Sequence, residues 1–422
     1  MTRRKPVEWT KLDNAAKIFP PNSNERDTKV FRFVCELKDE VDKDILQEAV
    51  DKTLPLFPFY RTVLRRGFFW YYFESTDLMP EVSEETKLPC SMLYRRSRRN
   101  LLFEITYYKK RINLEVFHAL TDGTGALGFL KTLLYYYITI KYRDDFKGQL
   151  PLLDYDASLS QKMDDSFQKH YSVKRIPKKI KITKAYRIQG RRSIDNRIKI
   201  IEGLMPVNEV LNLSRKHNTT LTVYLVALFI KSIYKEMPAR SKKNPIVLSV
   251  PVNLRSYFPS VTARNFFATI NISYNFSTSG DELGDIIASV KESFERELTK
   301  ENLEKHMNRL LSLEHNAFMR AVPLVIKDRV LRLATRLSDK GITATLSNVG
   351  KITIGSEFDP YVTMFNCFVS AKRPQIAICS YQNNLVVSFT SPFVGTDIQK
   401  NFFRHLANEN IPIIISSNAK EI

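Results

Sequence analysis

Glycine is scarce in this chain, thirteen in 422 residues or about 3 % against a usual ~7 %. Yet Gly123, Gly125 and Gly128 fall within one short stretch. Before them, residues 112–117 alternate apolar and polar as a half-buried strand does. After them, residues 126–140 form an apolar run of helical length. A strand that stops at His118, turns within a few residues and continues as a buried helix restricts the chain to an α/β arrangement. Gly123 in that turn is expected to supply a positive φ or a close backbone approach, which no other residue does cheaply.

The strand-helix rhythm runs through the whole sequence. Residues 30–37, 67–74 and 101–108 read as strands, and residues 42–54 carry acidic residues in a first turn and apolar ones at helical spacing. Between 173 and 199 the character changes: eleven Lys or Arg face the single Asp195, so 11 − 1 = +10, half of the chain's net charge of +20. This stretch reads as a basic linker, part of it suited to an edge strand. The rhythm then restarts, with strands at 198–204 and 246–250, a helix from Pro206 and another at 220–236. Residues 281–315 are strongly helical. Strands at 342–347, 375–381 and 385–390 and a helix at 397–408 close the chain. The expected fold is α/β (α+β) in two units, 1–172 and 200–422, each a mixed sheet with packed helices.

Apolar residues at 43 % and charged residues at 26 % exclude wholesale disorder. Cys35, Cys90, Cys367 and Cys379, without CxxC spacing, suggest a reducing compartment. The N-terminal residues lack the apolar core of a secretory signal, and residues 221–230 fall short of the ~20 that a membrane span needs. A soluble, cytoplasmic, monomeric protein is expected. The net charge predicts anionic partners: phosphates, acidic proteins or anionic lipid. Nucleic acid is not expected, since no RNA-recognition signature, zinc-finger spacing or helix-turn-helix pattern is present. The aromatic runs 68–72 and 135–137 read as core rather than as a base-stacking surface.

Three readings compete at His118-Ala-Leu-Thr-Asp-Gly-Thr-Gly125. Gly123-Thr-Gly125-Ala-Leu-Gly128 matches GxGxxG, with Asp144 and Asp145 following, as in an NAD(P)-dependent oxidoreductase. The context disagrees, because the preceding strand alternates and residues 141–147 are not a second buried strand. A metal site on His118 and Asp122 lacks a third clustered ligand, so no metal is expected. The third reading is a general-base histidine on a tight loop at a strand end.

His118-Ala-Leu-Thr-Asp-Gly123 resembles the HxxxDG signature of the CoA-dependent acyltransferase superfamily, which includes chloramphenicol acetyltransferases, condensation domains, plant BAHD enzymes and alcohol acetyltransferases. Lys11-Leu-Asp-Asn-Ala-Ala-Lys-Ile-Phe-Pro20, Phe57-Pro-Phe-Tyr-Arg61, Phe69-Trp-Tyr-Tyr-Phe-Glu74 and Val250-Pro-Val-Asn-Leu-Arg255 followed by Asn265-Phe266 extend the similarity over most of the chain. They are most similar to the bacterial alcohol-acetyltransferase-like branch. The DFGWG element of the plant branch is absent, and Phe117 stands where condensation domains carry a second histidine.

The resemblance implies two chloramphenicol-acetyltransferase-like domains with His118 in a tunnel between them. It implies a coenzyme A or acyl-carrier-protein thioester as donor, an alcohol or amine acceptor, and no permanently bound cofactor. It also implies that Asp122 turns away from His118 to pair with Arg255. An imidazole with a pKa near ~6.5 suits removal of an acceptor proton. Ser347 and Asn348, at the end of a polar strand, are the expected oxyanion donors. Residues 95–99 and the basic linker are expected to meet the phosphates of CoA, an acidic carrier or an anionic membrane surface. The alternative is a catalytically silent binding protein of the same fold.

Overall fold

The computed structural model describes residues 8–147, 151, 164–171, 184–193, 195, 197–315 and 320–418. Of the basic stretch 173–199, residues 173–183, 194 and 196 lie outside the described residues. Fifteen described strands form three sheets. A small antiparallel sheet has the order β1 (Trp9–Lys11), β4 (Tyr71–Ser75), β3 (Thr62–Arg66). A second has the order β12 (Val362–Val369), β2 (Val30–Leu37), β7 (Arg111–Phe117), β6 (Phe103–Tyr108), β5 (Ser83–Glu84). The third, of seven strands, runs β10 (Phe267–Tyr274), β9 (Ile246–Asn253), β11 (Ala344–Lys351), β13 (Gln375–Tyr381), β14 (Asn384–Ser391), β8 (Lys199–Pro206), β15 (Ile414–Ser417).

The main helices are α1 (Lys43–Thr53), α2 (Gly123–Lys141), α3 (Val207–Lys216), α4 (Leu221–Lys235), α5 (Leu283–Glu297), α6 (Lys300–His315), α7 (Leu324–Ser338) and α8 (Asp397–Asn408). Local chemistry sets their ends. The side chains of Asp42 and Thr220 accept backbone N–H groups at the starts of α1 and α4, satisfying donors that a helix N-terminus leaves open. α1 and α2 pack on each other and α2 on β2 and β7, giving one core. α4, α5 and α8 cover the large sheet and form the other.

Several expectations need correction. The strand expected at 67–74 starts only at Tyr71, because residues 67–70 make the turn between β3 and β4. There Phe68 and Trp70 are exposed instead of core, whereas Tyr137 is fully buried. The helical stretch 281–315 breaks after Glu297 into α5 and α6. β12 comes from beyond residue 200 yet pairs antiparallel with β2, so the C-terminal stretch completes the first sheet. Among the described residues no helix is long and apolar enough to cross a membrane.

Candidate functional site

β7 ends at Phe117, and the His118 N–H donates to the Lys29 carbonyl at 2.8 Å, carrying the β2–β7 ladder one residue further. Lys29 has φ 60°, a left-handed conformation that lysine adopts at some cost. The imidazole is half-buried. It stacks on Phe19 at 4.4 Å and 14°, meets Phe31 edge-on at 4.9 Å, and leans on Phe267 of β10 at 5.5 Å between ring centroids. Elements of both cores therefore meet at this ring.

Asn265, itself buried, sets the proton's position. Its Nδ2 donates to Asp13 Oδ2 at 3.3 Å and to the Ala119 carbonyl at 3.4 Å. The amide end is thus fixed by two acceptors, which leaves Oδ1 facing His118 Nδ1 at 3.2 Å. Nδ1 must carry the hydrogen, so Nε2 keeps its lone pair. Among the described residues nothing hydrogen-bonds Nε2. Burial is the main cause that lowers the His118 pKa below its ordinary 6.5; its own carbonyl, Asp122 and Asn265 oppose this, and Lys29 adds to it. Asp13 is pushed up to about 6, by burial first, against the pull of Arg264.

Asp122 faces away from the imidazole. Its Oδ1 accepts from the backbone of Thr124 and Gly125, both at 3.1 Å, capping α2. Its Oδ2 accepts from Arg255 Nη1 and from the Phe266 N–H, each at 2.8 Å. Arg255 also donates to the carbonyls of Thr262 and Arg264, so this buried pair is fully hydrogen-bonded. The dinucleotide reading fails here. β7 is antiparallel to both neighbours, and the N–H groups that would cradle a pyrophosphate already hold Asp122 Oδ1.

Gly123 also needs correction. Gly350 is the only described glycine at positive φ, and a Cβ on Gly123 would meet only the Phe33 ring at 3.8 Å. The close approach belongs to Gly125, where a Cβ would stand 2.0 Å from the Ala263 carbonyl oxygen and 2.1 Å from Thr121 Oγ1. Thr121 itself bonds that carbonyl.

Ser347 and Asn348 lie on β11. Register links Thr345 to Ser249 of β9 and Ser249 to Asn271 of β10. Asn271 has the parity of Phe267, so Thr345 and Ser347 share the sheet face that reaches His118. Ser347 is two strands from β10, about 10 Å away at ordinary strand spacing. Its hydroxyl has no partner among the described residues. Asn348 differs: its Nδ2 donates to Thr222 Oγ1 at 2.7 Å and its Oδ1 accepts from Gly350 N at 2.8 Å. That amide pins β11 to the start of α4.

A groove of about 800 Å³ is lined by Arg26, Arg95, Arg98 and Arg99, and by Thr28, the residue before Lys29. Arg99 pairs with Glu74. His118 is not among its lining residues. The residues that sequence reasoning left without a role are Asn265, Asp13 and Lys29. Asn265 and Asp13 fall inside quoted segments of the resemblance, which was the available signal; the φ of Lys29 has no sequence mark.

No protein-family model matches this sequence, and no curated protein matches it. The fold, by contrast, is shared. TRI101 of F. sporotrichioides, solved with coenzyme A and T-2, is similar with a TM-score of 0.65 at 9 % identity, over 96 % of this chain and 99 % of that one. Polyketide synthase associated protein 5 from Mycobacterium tuberculosis gives 0.61 at 12 %, over 94 % and 97 %. The first condensation domain of the CDA synthetase gives 0.60 at 14 %, over 96 % and 97 %. At these identities the likeness is one of fold, shared with acetyltransferase and condensation-domain structures.

Proposed function

We propose that this protein is an acyltransferase, moving an acyl group from a coenzyme A or carrier-bound thioester to a hydroxyl, with His118 as base. The observation that carries this reading is the hydrogen-bonded Nδ1 of His118 beside an Nε2 without a protein partner. Nε2 takes the acceptor proton as the acceptor oxygen bonds to the thioester carbon. The carbonyl becomes an oxyanion, the C–S bond breaks, and the imidazolium returns the proton to the departing sulfur. A base below its ordinary pKa stays unprotonated at neutral pH, and a thiol of pKa ~8.5 leaves with little assistance.

The arrangement supports a positioning role for Asp122, Arg255 and Asn265. Asp122 and Arg255 hold the loop while Asn265 holds the ring. Ser347 is our candidate donor to the oxyanion, Asn348 being taken up by Thr222 and Gly350. The donor's phosphates are assigned to Arg26, Arg95 and Arg98, which make no ion pair among the described residues. The structural neighbours support acyl transfer by fold, and TRI101, described as a complex with coenzyme A, favours that donor.

The test is thiol release from acetyl-CoA with a panel of alcohols and amines. His118→Ala is expected to lower turnover by about 10²–10⁴-fold with an unchanged melting temperature. Turnover that persists in this variant removes His118 from the reaction. Thiol release faster with amines reassigns the acceptor.

A further inference from the structure

α7 carries its polarity reversed. Its inward side bears Leu324 and Asp328, the latter accepting from the Tyr71 hydroxyl at 2.8 Å and from Arg66 at 3.4 Å, with Thr335 accepting from Asn22 at 3.2 Å. Val325, Ile326, Val330, Leu333 and Leu337 are exposed, Leu333 by 59 %. Positions 326, 330, 333 and 337 fall on one helical stripe. Arg329, Arg332 and Arg336 follow a parallel course, and Lys340 lies just beyond the helix. The single carboxylate of α7, Asp328, is the buried one, so the outer surface joins an apolar stripe to cations alone.

The turn at 67–70 extends this surface. The Phe68 carbonyl accepts from Leu324 N at 2.8 Å, and the Phe69 carbonyl from Lys327 Nζ at 3.0 Å. Phe68, 70 % exposed, and Trp70, 45 % exposed, stand in this turn and add to the five exposed apolar side chains of α7. Lys11 lies over the Trp70 ring at 5.7 Å.

A helix at a protein surface normally buries its apolar stripe, so this one needs an occupant. We propose that α7 and the 67–70 turn dock the protein on an anionic lipid bilayer. Charge complementarity selects this occupant. An apolar stripe with exposed Phe and Trp and a cationic flank is the composition of a helix lying in the membrane interface, and acidic headgroups neutralise the arginines. A second copy would set the same cations against each other across a two-fold axis, in a chain already at +20, which opposes association. The site lies close by: Phe19 of the single turn Phe19–Asn22 stacks on His118, and Asn22 of that turn bonds Thr335 of α7. Docking does not depend on His118 being a base.

The experiment is sedimentation of the full-length protein with vesicles of phosphatidylcholine alone or with phosphatidylglycerol, monitored also by Trp emission. Expected are co-sedimentation and a blue shift with the anionic vesicles only, both weakened by salt. Val330→Asp with Leu333→Asp should lower the partition coefficient at least about tenfold, and Arg329→Gln with Arg336→Gln should do so for anionic vesicles. All four positions lie on the outer side of α7, so circular dichroism and melting should match the parent. No partition into anionic vesicles, or partition unchanged in these variants, overturns the proposal. So does a Leu333-dependent dimer in analytical ultracentrifugation without lipid binding, which assigns the face to a second copy, or equal binding to a soluble acidic peptide, which assigns it to a protein.

Discussion

Asn265→Asp is the sharpest probe of the imidazole. A carboxylate in place of Oδ1 favours the imidazolium, so the His118 pKa rises and the acid limb of kcat/KM moves to higher pH. In the parent that limb should lie below the ordinary 6.5, since the His118 pKa is lowered. The same shift has a stability sign. The unfolded state binds the proton more readily, so the contribution of His118 is whole above 6.5 and falls as pH drops toward its lowered value. Asp13 acts oppositely, its contribution present below 3.8 and lost as pH rises through about 6. A limb unmoved in Asn265→Asp at intact fold removes the assigned tautomer. At the turn, Gly125→Ala should destabilise by about 1–3 kcal/mol or more through overpacking, whereas Gly123→Ala should be neutral or gain up to about 1 kcal/mol, both read by chemical denaturation. His118, Asp122 and Arg255 were legible because motif and resemblance mark them. Asn265 acts 147 positions from His118, and which glycine is cramped depends on Ala263, so neither follows from local sequence.

The Asp122–Arg255 pair joins two elements, the first turn of α2 and the segment after β9. Removing one partner strands the other charge in a buried place, so Asp122→Asn or Arg255→Met should each cost about 3–5 kcal/mol. The double variant should cost less than the sum. Additive losses in urea unfolding would show that the pair does not act as a unit. α1 was legible because one of its faces is wet and its capping residue survives in the sequence, whereas β7, expected half-buried, is buried on both faces and alternates only because its polar residues Asn113 and Glu115 are buried too. β12 is buried along most of its length on both faces, which erases a period of two. α7 went unread, since no side-chain cap marks its start, and its stripe does not tell which side faces outward. That required Asp328 and Tyr71 to be seen together.

For the whole molecule, the consequence follows from β12. The strand-helix rhythm restarts near residue 199, but pairing between β12 and β2 joins segments more than 300 residues apart, which no local pattern encodes. Phe365, Cys367 and Phe368 bring that strand into the first core. A fragment ending at residue 199 therefore lacks part of its core and leaves the β2 edge unpaired, a template for association. It should elute as aggregates and digest rapidly, and a fused copy of residues 360–371 should restore part of its solubility by covering that edge. A monomeric 1–199 fragment with dispersed amide resonances would contradict this. Full-length protein should instead protect the amides of β2, β7 and β12 to the same degree in hydrogen exchange, since the first sheet opens only when the crossing strand leaves it.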